Sequence, residues 1–123
     1  MRNTIAVVNK FRNVEFESSS SKTPQFNEFA KMFKKALQEQ CDLAGANLHS
    51  VNVGHFYLSA FVEKNGKFVY ISISDVRHFP NSWFTNVLIR TAKGDKDFSG
   101  GSNNYSDLQN LSVNISRLIN IQN

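Results

Sequence analysis

Asn65-Gly66 constrains this chain more than any other feature. The pair lies between two runs of alternating apolar and polar residues, and a two-residue Asn-Gly turn matches the twist of the strands it joins, which sets the register of the whole hairpin. Counting outward, Val62 faces Val69, Ala60 faces Ile71 and Leu58 faces Ile73 on one side; Glu63 faces Phe68, Phe61 faces Tyr70, Ser59 faces Ser72 and Tyr57 faces Ser74 on the other. The first side is a core side. The second sets four aromatic rings among serines, more apolar than a solvated face and more polar than a deep core. It is either a recognition surface or a surface covered by the last helix.

The flanking chain supplies the rest of a sheet. From Leu48 the period is two, with Val51 and Val53 pointing one way and Phe56, Leu58, Ala60 and Val62 the other; the switch of parity at Gly54 predicts a bulge that re-aims one strand. Residues 77–82 predict a turn, because Pro80 cannot donate to a central ladder and Asn81-Ser82 are loop formers. A third strand from Trp83 to Thr91 places Val87 and Ile89 on one face. Leu88 and Arg90 take the other, and since a charge prefers water, Arg90 is assigned to the aromatic-serine face.

Two helices bracket these strands. Thr23-Pro24 is a start signal, and Phe26, Phe29, Ala30, Phe33, Leu37, Cys41 and Ala44 form a stripe at three- and four-residue spacing that Gly45 stops. Ser106 with Gln109 reads as a capping box before a last helix striped by Leu108, Leu111, Ile115, Leu118 and Ile119. At the N-terminal end, Ile5, Val7, Val14 and Phe16 alternate loosely and predict two short strands or one loose hairpin. The expected architecture is α+β: a three-stranded antiparallel sheet flanked by two helices, in the order α-β-β-β-α, with short N-terminal strand segments. All 123 residues form one domain, with loose strands over 1–17, a Ser-rich spacer over 18–22 and the body over 23–123.

Composition narrows function by exclusion. The three histidines never reach metal-ligand spacing with Cys41 or a carboxylate cluster, so no metal and no cofactor are expected. A lone cysteine forms no intramolecular disulfide and fits a reducing cytoplasm. No apolar run approaches the roughly 18 residues of a membrane span, and Ile5 to Val8 is too short for a signal-peptide core. His55 lies near Asp75 in the counted register, an arrangement that suits an oriented general base but equally a satisfied strand histidine. Gly-x-Ser-x-Gly is absent and no catalytic residue is assigned, so the chain is expected not to be an enzyme. The twelve-residue loop Lys93–Asn104 carries Gly100-Gly101-Ser102-Asn103-Asn104 before a helix start, which suits an anion or merely turns the chain.

What remains points to binding. Eleven Phe in 123 residues suggest aromatic surface beyond the needs of a core, and a net charge of +4 tolerates a polyanion without demanding one. Tyr57, Phe61, Phe68 and Tyr70, with Lys64 and Lys67 at the hairpin tip and Arg90, Lys93 and Lys96 beyond it, are the candidate binding residues. They suit stacked bases and phosphates, or a protein partner. A second copy of the chain is a further candidate occupant.

The helix, three strands, helix order resembles the double-stranded-RNA-binding domain, which implies RNA binding. Gly54-His55 after the first long helix is similar to the Gly-Ser-His of HicA-type ribonuclease toxins, which implies RNA cleavage through His55. Ser74-Asp75-Val76-Arg77, Ile89-Arg90-Thr91-Ala92-Lys93 and Gly100-Gly101-Ser102-Asn103-Asn104-Tyr105 resemble stretches in small phage and plasmid proteins of low-GC bacteria. That resemblance implies a mobile-element inhibitor of the anti-CRISPR or anti-defence type, docking on a host protein or nucleoprotein complex. Direct nucleic-acid binding, HicA-like ribonuclease action and nucleotide sequestration by the glycine loop are the alternatives.

Overall fold

The Asn65-Gly66 turn is left-handed at both residues, with φ of 54° and 78°, the geometry a two-residue I′ hairpin needs. In the computed structural model, which describes residues 1–16, 24–77, 82–98 and 100–122, this turn joins β2 (Leu58–Lys64) to β3 (Lys67–Ile73). The ladder runs from Lys64 opposite Lys67 to Leu58 opposite Ile73, including Val62 with Val69 and Phe61 with Tyr70, the register counted from the sequence. Tyr57 and Ser74 lie beyond its last pair. Glu63 pins the turn, accepting from Gly66 N at 2.8 Å and from Asn47 Nδ2 at 3.0 Å, and these bonds draw its carboxyl below the ordinary carboxylate range.

Among the described residues the sheet has five strands, not three. β1 (Asn47–Val53), β2, β3, β4 (Val87–Ala92) and β5 (Asn104–Ser106) follow one another in space as in sequence, every neighbour antiparallel. The expected single strand through Gly54 is two strands joined by a turn: Gly54 N bonds to Tyr57 O at 2.9 Å, and Phe56 sits at φ 62°. Left-handed backbone is costly for a residue with a side chain, and burial of the Phe56 ring against Phe26, 4.9 Å between centroids, offsets it. The bulge exists, but in β1 at His49, between Leu48 and Ser50. Trp83 belongs to a short helix, α3 (Ser82–Thr85), and the strand begins after it. Of the turn expected at residues 77–82, positions 78–81 lie outside the described residues, and Ser82 opens α3.

Four helices accompany the sheet among the described residues, where two were expected. The N-terminal segment is α1 (Arg2–Phe11) rather than strands, because Thr4, Val7, Val8 and Phe11 repeat at helical spacing and are all buried. The Ser-rich spacer and the Thr23 cap lie outside the described residues. α2 (Pro24–Leu43) ends as its sequence predicts: Gly45 turns left-handed at φ 65° and Ala46 N reaches back to Cys41 O at 2.9 Å. α4 (Leu111–Asn120) follows a 3₁₀ turn, Leu108–Asn110. Asp107 caps that turn by accepting from Asn110 N at 3.1 Å, and the expected cap Ser106 ends β5 instead.

The core lies on one face of the sheet. Leu58, Ala60, Val62, Val69, Ile71, Ile73, Val87 and Ile89 pack with the apolar sides of α1, α2 and α4. Phenylalanine fills this layer. Phe11, Phe16, Phe26, Phe29, Phe33 and Phe56 are buried in one connected cluster that Phe29 and Phe33 join to Trp83, with Phe29 and Trp83 edge to face at 4.9 Å, so most of the aromatic surplus is core and not surface. Gln40, fully buried, ties three helices together: its Nε2 donates to Thr4 Oγ1 at 3.0 Å in α1 and its Oε1 accepts from Ser112 N at 2.9 Å in α4.

Candidate functional site

Strand alternation puts one residue in two on the face away from the helices. From β1 to β5 the registers assign to it Ser50 and Asn52, then Ser59, Phe61 and Glu63, then Phe68, Tyr70 and Ser72, then Leu88, Arg90 and Ala92, and finally Tyr105. The last helix packs on the opposite face and does not cover these rings. Arg90 lies opposite Tyr70, on the aromatic-serine face.

The cover comes from the loop between β4 and β5. Phe98 lies over Phe61 at 5.2 Å between centroids and over Tyr70 at 5.9 Å, both edge to face. Beneath it Phe61 is only 1 % exposed, whereas Phe98 itself is 51 % exposed. Arg90 holds the loop down: its guanidinium lies 4.6 Å from the Tyr70 ring centre, donates to the carbonyl of Phe98 and reaches Asn103 Oδ1 at 3.2 Å. At the far end His49, in the β1 bulge, contacts Asp95 Oδ2 at 3.0 Å and packs its ring edgewise on Phe68 at 5.4 Å. Exposed ion pairs contribute at most about 1 kcal/mol, so the Phe98 and Arg90 contacts carry most of the attachment.

The loop is built to hold Phe98 over Phe61 and Tyr70. Asp97 turns inward, its carboxylate accepting from Lys93 N at 2.9 Å and Gly100 N at 2.8 Å. Gly101 is left-handed at φ 73°, and a Cβ there would lie 2.5 Å from Thr91 O, so no other residue fits without movement. Between loop and hairpin tip a cleft of about 530 Å³ is lined by Gly66, Lys67, Thr91, Lys93, Asp97 and Gln122.

The nine candidate binding residues divide accordingly. Phe61, Phe68, Tyr70 and Arg90 share the helix-free face, and Lys93 and Lys96 stand exposed on the loop beside it. Lys67 lines the cleft. Lys64 is directed elsewhere, donating to Ala44 O at 3.3 Å past the end of α2, and Tyr57 lies at the other end of the hairpin with its ring over Gly54. Phe98, His49 and Tyr105 were not among them. Phe98 is the single apolar residue of a polar loop, a legible signal; the bulge at His49 and the three-residue β5 carry none.

Other candidate chemistry resolves into structure. Asp75 is engaged by Arg77, whose Nη2 lies 2.6 Å from Oδ2, and that guanidinium sits 4.3 Å from the Phe56 ring centre. Cys41 is buried in α2, and burial, helped by the charge of Asp42, pushes its thiol up to about 12. Among the described residues no helix is long and apolar enough to cross a membrane. No family model, curated protein or solved structure matches this chain.

Proposed function

We propose that this chain is a non-enzymatic binding protein that docks the helix-free face of its sheet on another protein. The observation that carries the reading is Phe98: half-exposed, yet braced from below by Phe61, Tyr70 and Arg90, it is a pre-ordered aromatic anchor of the kind that dominates protein interfaces. Tyr105, 62 % exposed opposite Leu88, extends the surface across β5. An inhibitor of the anti-CRISPR or anti-defence type, acting on a host protein or nucleoprotein complex, is the class that small size, a docking face and the likeness of residues 74–77, 89–93 and 100–105 support.

The test is affinity capture from host cells with the folded chain and with Phe98→Ala. A stoichiometric protein retained by the first and lost from the second is expected; equal retention by both would overturn the reading. Direct nucleic-acid binding is the second reading, favoured by the exposed Lys93 and Lys96 and a net charge of +4. It requires affinity that falls steeply with salt and drops in a Lys93→Ala, Lys96→Ala double variant. Against it, Phe61 is sealed and Arg90 already occupies a face of Tyr70, which leaves few open rings for bases.

A further inference from the structure

The sheet ends on two unequal edges. β5 is three residues long and blunted by its brevity, whereas the outer edge of β1 runs over Asn47–Val53 and no described segment pairs with it. Edge strands are commonly guarded by charge or proline, and none of residues 47–53 is Asp, Glu, Lys, Arg or Pro. Backbone groups alternate sides along an antiparallel ladder. Because Gly54 N bonds to Tyr57 O at 2.9 Å, Asn52 and Ser50 turn their backbone groups toward β2, opposite Ser59 and Phe61, and Val51 and Val53 turn theirs outward. The side chains of these valines lie on the helix side, opposite Ala60 and Leu58, yet Val53 is 44 % exposed and Val51 only partly buried. Open backbone groups and uncovered apolar side chains therefore coincide on one short stretch.

We infer that this stretch pairs with the same stretch of a second copy of the chain, antiparallel and centred on Asn52. Val51-Asn52-Val53 reads the same in both directions, so a two-fold pair sets each Val51 against the second copy's Val53, both backbone bonds being exchanged at each such pair. The two Asn52 amides then face each other on the helix-free side, where each can donate and accept. No charged residue of either copy lies on the seam, so two chains of net charge +4 meet there without opposing like charges. The bulge at His49 bounds the open stretch on one side and the turn after Gly54 on the other, which suits a short reciprocal pair better than a long foreign strand. The inference is independent of the docking reading: it leaves both helix-free faces open, side by side on one continuous sheet.

Analytical ultracentrifugation of the full chain over a concentration series is the first measurement, and the expected result is a mass that rises from one copy toward two. Cysteine pairing then reads the register. Asn52→Cys brings its Cα to about 4.5 Å from that of the second copy, within disulfide reach, whereas Ser50→Cys falls opposite Gly54 and lies beyond about 7 Å from its own counterpart. Cys41 is buried and stays silent. Under oxidation Asn52→Cys should give a reducible dimer in about tenfold the yield of Ser50→Cys. Val53→Lys, with unchanged far-UV circular dichroism to verify its fold, should sediment as a monomer, and Phe98→Ala should leave the wild-type mass unchanged. A wild-type monomer at every concentration overturns the inference, whether the edge is bare or kept for another protein's strand, and leaves the docking reading standing. A dimer that cross-links equally at positions 50 and 52, or survives Val53→Lys, also overturns it. A dimer lost with Phe98→Ala places the contact on the helix-free face and overturns it as well.

Discussion

Glu39 caps the helix that contains Thr4. Its Oε1 accepts from both the backbone N–H of Thr4, at 2.9 Å, and the Thr4 hydroxyl, at 2.7 Å, while its Oε2 accepts from Asn3 N at 2.8 Å. α1 has no side-chain cap of its own, so a carboxylate from α2 supplies what an Asp or Ser at Met1 would. Burial raises the Glu39 carboxyl, but the Thr4 hydroxyl, the two backbone donors and the N-terminal ammonium outweigh it, and the net result lies below the ordinary 4.5.

Glu39→Gln is therefore expected to cost about 1–2 kcal/mol at neutral pH, read as a shift of the urea midpoint, with hydrogen exchange accelerated in α1 before the rest. Because the folded carboxyl titrates below its unfolded value, the contribution is complete above about pH 4.5 and is lost as pH falls through the folded value. The gap between wild type and Glu39→Gln should close over that acid window. A gap that persists unchanged to low pH would show that the charged cap is not its source.

Phe61→Ala and Phe98→Ala separate structure from surface. Phe61 is 1 % exposed, so its truncation should cost about 3–5 kcal/mol, whereas the half-exposed Phe98 should cost about 1 kcal/mol. Chemical denaturation of the two variants decides it. Equal losses would make Phe98 as much a part of the folded interior as Phe61.

Gly101→Ala should lower stability by about 1–3 kcal/mol and detach the loop, because it forces a side chain into left-handed backbone against Thr91 O. Gly94→Ala, where an added Cβ meets nothing within 4 Å, is the matched control and should be near neutral. Thermal melts of both, with near-UV circular dichroism to follow the Phe61, Tyr70 and Phe98 environment, would expose a failure of this geometry.

Cys41 should be inert in the native state and reactive once unfolded, since its thiol is fully buried and is pushed up to about 12. Labelling by a soluble disulfide reagent at pH 8 should proceed at the rate set by opening of α2, accelerating with denaturant. Fast labelling in buffer alone would contradict the burial.

What the chain's own order of residues determined is whatever rests on near neighbours. The hairpin register followed from one turn dipeptide and a period of two, and the α2 stripe from Phe26 to Ala44 with its Gly45 stop followed from helical spacing, because both signals are local in backbone geometry. Tertiary structure decided the rest. Thr4, Val7, Val8 and Phe11 carried a helical pattern too short to outweigh a strand-like alternation, and it is burial on α2 and the cap from Glu39 that hold it. β5 is three residues with no period to detect, and it exists because β4 offers an edge. Which face of the sheet stays open depended on α2 and α4 packing on the other one, with α1 laid against α2, and the anchor at Phe98 depended on a loop folding back onto Phe61 and Arg90. Contacts between residues that distant in the chain are fixed by the free energy of the whole packed core, which no local pattern encodes.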